Sequence, residues 1–449
     1  MTEVKESQTS SSHLETMPHG EDGSLGPDDP KESDNGNPNH PQNWPATAKQ
    51  CTYLTICSFT FLANINSSNF TVATQPIIKE FEVTETQAGE LVCFNVFLFG
   101  MGNIFWVPLM RVIGKRPVYL LAMLGLSLMN IWSSQATTYR ELLASRILSG
   151  FVAAAADATV PAVVADMVAP QDRGHYMMFF HLAMTAGLFL GPLINAYLVQ
   201  EHDWRWMCYF LAIAVGVVFI IAIFTTRETS TRQHESIDRV ASTKRTQWEW
   251  MSVTAGYNPR ASFSQPLRDI VANAAYPPLI WCSLTIGISV GWNIVVQLMS
   301  SRTFTKPPYG WELGELGLLS LAAFIGSVLA FYIGGRLIDI ISTRNAARHG
   351  GAFGVAAISN VAVTYSLDLY KPVTGEALVI IFVIRNTIGM LVSLYGADWI
   401  DRQGPAVVFG EMAAIQVASV LFAIPLFIWG RSLGAWTSTF GPMKRFLNP

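Results

Sequence analysis

The stretch RWMCYFLAIAVGVVFIIAIFT, residues 205–225, decides the fold, because after Arg205 no charged residue follows until Arg227. A hydrocarbon core about 30 Å thick needs roughly 20 helical residues to cross it, and this run supplies them. Inside a bilayer no water satisfies backbone N–H and C=O groups, so the run is predicted to be helical. A barrel strand would instead alternate apolar and polar residues over about ten positions. Working outward, comparable runs occupy 51–74, 88–110, 117–134, 141–164 and 176–199 before it. After a polar stretch at 226–275 they continue at 276–299, 315–340, 375–397 and 406–430. Only 14% of the 449 residues are charged and 51% are hydrophobic, whereas soluble domains carry about 25% charge. That surface cannot face water all round, which argues against a soluble enzyme. The formal net charge of -3 comes with no basic stripe, so nucleic-acid binding has no electrostatic footing. The five cysteines sit in or beside apolar runs without paired spacing and read as small buried hydrophobes. The eight histidines show no metal spacing, and neither a phosphate loop nor a nucleophile elbow occurs, so no cofactor, metal or nucleotide is expected.

Residues 1–45 form an acidic tail rich in Ser, Gly, Pro and Asn, expected to be disordered and cytoplasmic. Residues 46–225 then make a six-helix bundle, 226–275 a cytoplasmic linker, 276–430 a second, incomplete bundle, and 431–449 a tail. Lys and Arg set the orientation. With the N-terminus inside, Arg111, Lys115, Arg116, Arg173, the linker and Arg336, Arg344 and Arg348 all fall on the cytoplasmic side. Two halves joined by a charged linker are the layout of a secondary transporter built from repeats. The second half does not close by count, because Ala352–Leu367 is only about 24 Å long as a helix. One span fewer than twelve would throw Arg431, Lys444 and Arg445 outside, against the charge bias. The expectation is an all-α polytopic protein of about eleven spans, lacking the ninth near Gly350 and Gly351.

Charge within a span costs a few kcal/mol, so it normally faces protein or water and serves a purpose. In the fourth run Arg146, Gly150, Asp157 and Pro161 fall within about 60° of one another on a helix. Arg146 and Asp157 are about 16 Å apart, too far to pair but able to line one cavity. Asp157 would be the protonatable site, since neutralising a buried carboxylate removes its desolvation cost. Arg385 lies near mid-depth of its run with Asn386 beside it. Polar groups recur where a cavity would be: Asn64 in the first run, Asn95 in the second, and Trp292, Asn293 and Gln297 in the seventh. The alternative for each is a side chain that only bonds neighbouring helices together. Asn66-Ser-Ser and Asn69-Phe-Thr are glycosylation sequons close to the bilayer.

Several motifs make the chain resemble the major facilitator superfamily, and within it the fungal drug:proton antiporters. They are Asn37 to Pro45, Gly114-Lys-Arg-Pro-Val118, Arg146-Ile-Leu-Ser-Gly150, Gly187-x-x-x-Gly191-Pro192 and Asp203-Trp-Arg-Trp206. The superfamily's loop after span two usually has an Asp where this chain has Arg111, whereas Gly335 and Asp339 keep the echo after span eight. The resemblance implies two bundles of major facilitator type, gating by Gly114, Lys115 and Arg116, and a flexible close contact at Gly187, Gly191 and Pro192. It further implies proton-coupled efflux of a hydrophobic or amphipathic small molecule, by a monomer in the plasma or vacuolar membrane. Its partners would be that substrate, protons and the lipid bilayer. Import by the same fold, or a truncated non-transporting product, are the alternatives.

Overall fold

A computed structural model describes residues 40–169, 172–230, 252, 256–259, 261–304, 307, 309–329, 374–422, 425 and 429. Among them there is no β-strand, and seven helices are long and apolar enough to cross a membrane. The helices are α1 (Ala46–Ser68), α2 (Thr74–Phe81), α3 (Glu85–Met101), α4 (Asn103–Ile113), α5 (Lys115–Gln135), α6 (Tyr139–Met167), α7 (Arg173–Glu201) and α8 (Arg205–Thr225). They continue as α9 (Ser264–Asn273), α10 (Pro277–Phe304), α11 (Leu313–Leu329), α12 (Thr374–Gln403) and α13 (Pro405–Leu421).

In the first half α6 is the post against which α1, α3, α4 and α5 pack. Its start is fixed by a capping box, in which Thr138 accepts from the Glu141 N–H and Glu141 bonds back. Its middle, Ala153–Ala156, is fully buried, and these small side chains let neighbouring backbones come close. A Cβ at Gly150 would stand 2.3 Å from the Asn95 carbonyl oxygen. The second apolar run is divided at Gly102 into α3 and α4. Close approach explains the glycine there, since a Cβ would meet Ala154 at 2.7 Å. Asn103 donates back to the Phe99 carbonyl at 3.0 Å, and Pro108 lacks the N–H its turn would use.

The motif Gly187-x-x-x-Gly191 seats α7 on α1. A Cβ at Gly187 would lie 2.3 Å from the Phe61 oxygen, and one at Gly191 would lie 2.9 Å from Ser68 Oγ. The helix runs on through Pro192. The second half repeats the device in a place the sequence reading passed over. Gly287 and Gly291 of α10 face Arg385, Ile388 and Val392 of α12, at 2.8–3.3 Å from the added Cβ.

The halves meet along α3, α4 and α12. Glu376 at the start of α12 pairs with Arg111 at the end of α4, while Ser393, further along α12, accepts from Cys93 Sγ at 3.1 Å. The two segments are therefore antiparallel, and α12 begins on the basic face that carries Arg111, Lys115, Arg116 and Arg173. Helix α13 runs back antiparallel to α10: Gln416 lies beside Ser289, and Ser419 beside Trp281 and Thr285. Its end thus returns to the basic face. The packing fixes the direction of α13 only; the side reached by the end of the chain, which the count of apolar runs left at odds with the charge bias, lies outside the described residues. Ala352–Leu367, the Gly350/Gly351 junction, Gly335 and Asp339 lie outside the described residues, as do Arg431, Lys444 and Arg445.

Candidate functional site

The fourth and eleventh-type runs bring one acid and one base together at the seam. Arg385 Nη2 donates to Asp157 Oδ2 at 3.0 Å, linking α12 of the second half to α6 of the first. Asp157 is fully buried and the Arg385 side chain is 8% exposed, so solvent screens the pair little. Asp157 Oδ1 and Arg385 Nε have no hydrogen-bond partner. The guanidinium lies 4.8 Å from the Phe382 ring centroid, where the ring face offers partial compensation. Asn64 of α1 is a neighbour of Asp157, and its amide also donates to the Thr60 carbonyl at 2.9 Å. Asn386 is buried with its Cβ against Gly100, and its Nδ2 is unpartnered. Four groups that sequence reading could weigh only singly, or not at all, thus converge: Asp157, Arg385, Asn64 and the Phe382 ring, while Asn386, next to Arg385 in the chain, faces α3.

Sequence reading passed over His181 of α7, half-buried with its ring centroid 5.1 Å from that of Phe180. Tyr53 lies beside Tyr176 and Asn64 beside Gly187, so α1 and α7 run parallel. His181 therefore stands about 9 Å nearer the basic face than Gly187, six residues on. Its only sequence signal is an ionisable ring inside an apolar run, and a search for metal spacing does not detect that.

Arg146 belongs to a different construction. It is fully buried; Nη1 donates to Asn66 Oδ1 at 2.9 Å, Nη2 to the Asn66 carbonyl at 2.6 Å, and the guanidinium lies 4.4 Å from the Phe70 centroid. Asn95 donates to the Arg146 carbonyl at 2.7 Å and to Ser149 Oγ at 3.0 Å. These bonds tie α1, α3 and α6 together inside the first half. Asn66 and Asn69, the two sequon residues that lie close to the bilayer by sequence, are both fully buried in the folded chain.

In α10, Gln297 donates to Asn293 Oδ1 at 3.1 Å. Trp292 packs instead toward Trp399, with ring centroids 6.2 Å apart. Trp399 in turn donates to Glu411 at 3.1 Å. These three α10 residues are not in the Asp157 cluster.

At the basic face, Gly114 has φ 99°, a left-handed region suited to glycine, and a Cβ would strike Glu228 at 2.6 Å. The Glu228 carboxylate accepts from the Lys115 and Arg116 backbone N–H groups at 3.1 and 2.9 Å, capping α5 with negative charge. Lys115 Nζ pairs with Asp166 and donates to the Ala162 carbonyl at 2.7 Å. Arg116 donates to the carbonyls of Ile223 and Thr226 at 2.8 and 3.1 Å. This loop is thus bound to α6 and α8 of its own half. The contact with the other half at this face is Arg111 with the buried Glu376. It was legible only as the inverted sign at position 111. No cluster of His, Cys, Asp or Glu fit to hold a metal occurs among the described residues.

A profile of the Major Facilitator Superfamily matches residues 54–395. The multidrug transporter TPO1_2 of Candida glabrata is 29% identical over 44% of this chain and 34% of its own length. The MFS-type transporter penM of Penicillium rubens is 26% identical over 72% of this chain and 63% of its own. The chain spans about a third to just under two thirds of the length of the first curated relatives it matches. Among solved structures, the proton:xylose symporter XylE superposes with a TM-score of 0.56 at 16% identity, covering 84% of this chain and 96% of that one. At that identity the likeness concerns the fold alone.

Proposed function

Because the chain belongs to the major facilitator superfamily and is an integral, multi-pass membrane protein, we propose that it exports a hydrophobic or amphipathic small molecule in exchange for protons. It does so by alternating access between its two halves. The observation that carries the reading is the buried Asp157–Arg385 pair across the seam. A proton placed on Asp157 cancels the charge to which Arg385 is bound. The tie between α6 and α12 then weakens, and the halves are released to change their relative tilt. Re-forming the pair expels the proton. A two-state element biased by one titrating group is what coupling requires.

In this reading Asn64 offers hydrogen bonds to substrate beside the pair, and Phe382 gives an apolar surface. Asn293 and Gln297 extend the polar lining along α10. Arg146 holds α1, and Asn95 holds α3, against α6 instead of meeting substrate, since Arg146 Nη1 and Nη2 and Asn95 Nδ2 already donate within the first half. Gly187, Gly191 and Pro192 keep α7 close to α1 while it bends. Gly114, Lys115 and Arg116 hold the first half rigid as Arg111 parts from Glu376. The relatives' names, multidrug transporter and efflux pump, support outward transport. The protein acts as a monomer, in the plasma membrane.

Asp157→Asn tests the proposal in proteoliposomes with Nile red as the apolar probe. An imposed pH gradient should drive accumulation by the parent protein and none by the variant, while dye exchange without a gradient persists in both. Equal gradient-driven accumulation by both would remove Asp157 from coupling. Accumulation of opposite sense under the same gradient would replace export by import.

A further inference from the structure

Helix α9 lies in the segment that the sequence assigns to an aqueous linker, yet it exposes an apolar stripe alongside a polar one. Pro266, Asp269, Ile270 and Asn273, spaced along one stripe, are buried against the protein. The outer stripe is Phe263, Leu267 and Val271, each four residues apart and 39%, 37% and 70% exposed. Ser264, Gln265 and Arg268 are exposed beside it, so the outer surface of the helix is itself amphipathic.

Depth gives the reason. The chain reaches the end of α4 where the Asn258 N–H donates to the Val112 carbonyl at 2.9 Å. It then goes inward along that helix: the Phe263 ring lies 6.0 Å from Phe105, itself 41% exposed. Phe105 sits eight residues before the end of α4, about 12 Å along the axis. The N-terminal end of α9 is therefore level with the side of a spanning helix and not beyond its end. Helix α9 also packs on the start of α12, so it rests on both halves at the basic face.

We propose that α9 is an in-plane membrane helix whose Phe263, Leu267 and Val271 lie among the acyl chains of the leaflet that bounds the basic face. Interfacial helices bury their apolar side about 5–10 Å into that boundary, and the contact with Phe105 sets Phe263 alongside the spanning helix instead of past its end. Its occupant is lipid, because the apolar stripe is continuous with the exposed side of α4. The inference requires that the chain spans a membrane and is independent of transport.

Spin labels on the full chain in lipid nanodiscs test it. With Cys51→Ala removing the exposed thiol among the described residues, labels at Leu267→Cys and Val271→Cys are compared with two references. Phe224→Cys lies on the lipid side of α8, and Asp172→Cys in a basic-face loop. The ratio of collision rates with oxygen, which concentrates in lipid, to those with a water-soluble nickel chelate should match Phe224→Cys and exceed Asp172→Cys several-fold. A ratio equal to that of Asp172→Cys would place the stripe in water. Shielding from both reagents would mean a protein segment covers it. Either result overturns the proposal.

Discussion

Removing one member of a buried ion pair leaves the other without compensation, at a cost of about 3–5 kcal/mol. Arg385→Gln should therefore lower the melting temperature in detergent, because it strands Asp157 in a site with no other cation bonded to it. Adding Asp157→Asn to that variant should restore most of the loss. Strictly additive losses in the double variant would mean that the two groups do not stabilise each other. Asp157→Asn alone should be milder, since the amide oxygen still accepts from Arg385. The membership of this site was partly legible in the sequence: Asp157, Arg385 and Asn64 each stand out as polar groups deep in apolar runs. Their pairing was not, because 228 residues separate Asp157 from Arg385 and periodicity acts only within a helix. Arg146 stood out for the same reason as Asp157, yet its bonds are to Asn66. Depth in a run reveals that a charge must be satisfied, not what satisfies it.

At the scale of elements, helix contacts in this fold are made by missing side chains, and glycines sort by what a Cβ would meet. Gly187→Ala and Gly150→Ala would each press a methyl onto a backbone oxygen at 2.3 Å, and overpacking of this kind costs about 1–3 kcal/mol. Gly326→Ala in α11 and Gly410→Ala in α13 meet nothing within 4 Å and should leave melting unchanged. Equal behaviour of the two sets in thermal unfolding would contradict the packing described. The Gly187 pair was legible from its spacing. Its counterpart at Gly287 and Gly291 has the same spacing and lacked only the following proline that drew attention to the first.

On the face opposite the basic one, Glu80 of α2 joins α2 to the start of α8 by accepting from Trp204 and Arg205. Partial burial alone would raise its pKa, but the hydrogen bonds from Arg205 and Trp204, with the Arg205 charge, hold it below the usual glutamate range. The clasp is thus complete at neutral pH and is lost as pH falls through that lowered value. Protection of the α2 amides, referred to the intrinsic exchange rate at each pH, should fall as pH drops through that lowered value, and Glu80→Gln should show the weaker protection at neutral pH already. Protection in the parent protein that stays constant through the acid range would remove Glu80 from the clasp.

For the whole molecule, the two-half layout, the basic face and the polytopic all-helical class follow from run length and cation placement, because lipid allows so few solutions. The direction of the second half did not follow, since apolar runs carry no sign. Arg111 beside Glu376 and Ser419 beside Trp281 supply it. The central claim is that one proton on Asp157 releases the seam between the halves. It is met most directly by trapping pyranine inside proteoliposomes that hold the purified chain and following internal pH when Nile red is added. The account predicts a dye-dependent proton flux in the parent protein that is absent in Asp157→Asn. Dye movement with no proton flux in the parent, or the same flux in both, would contradict it.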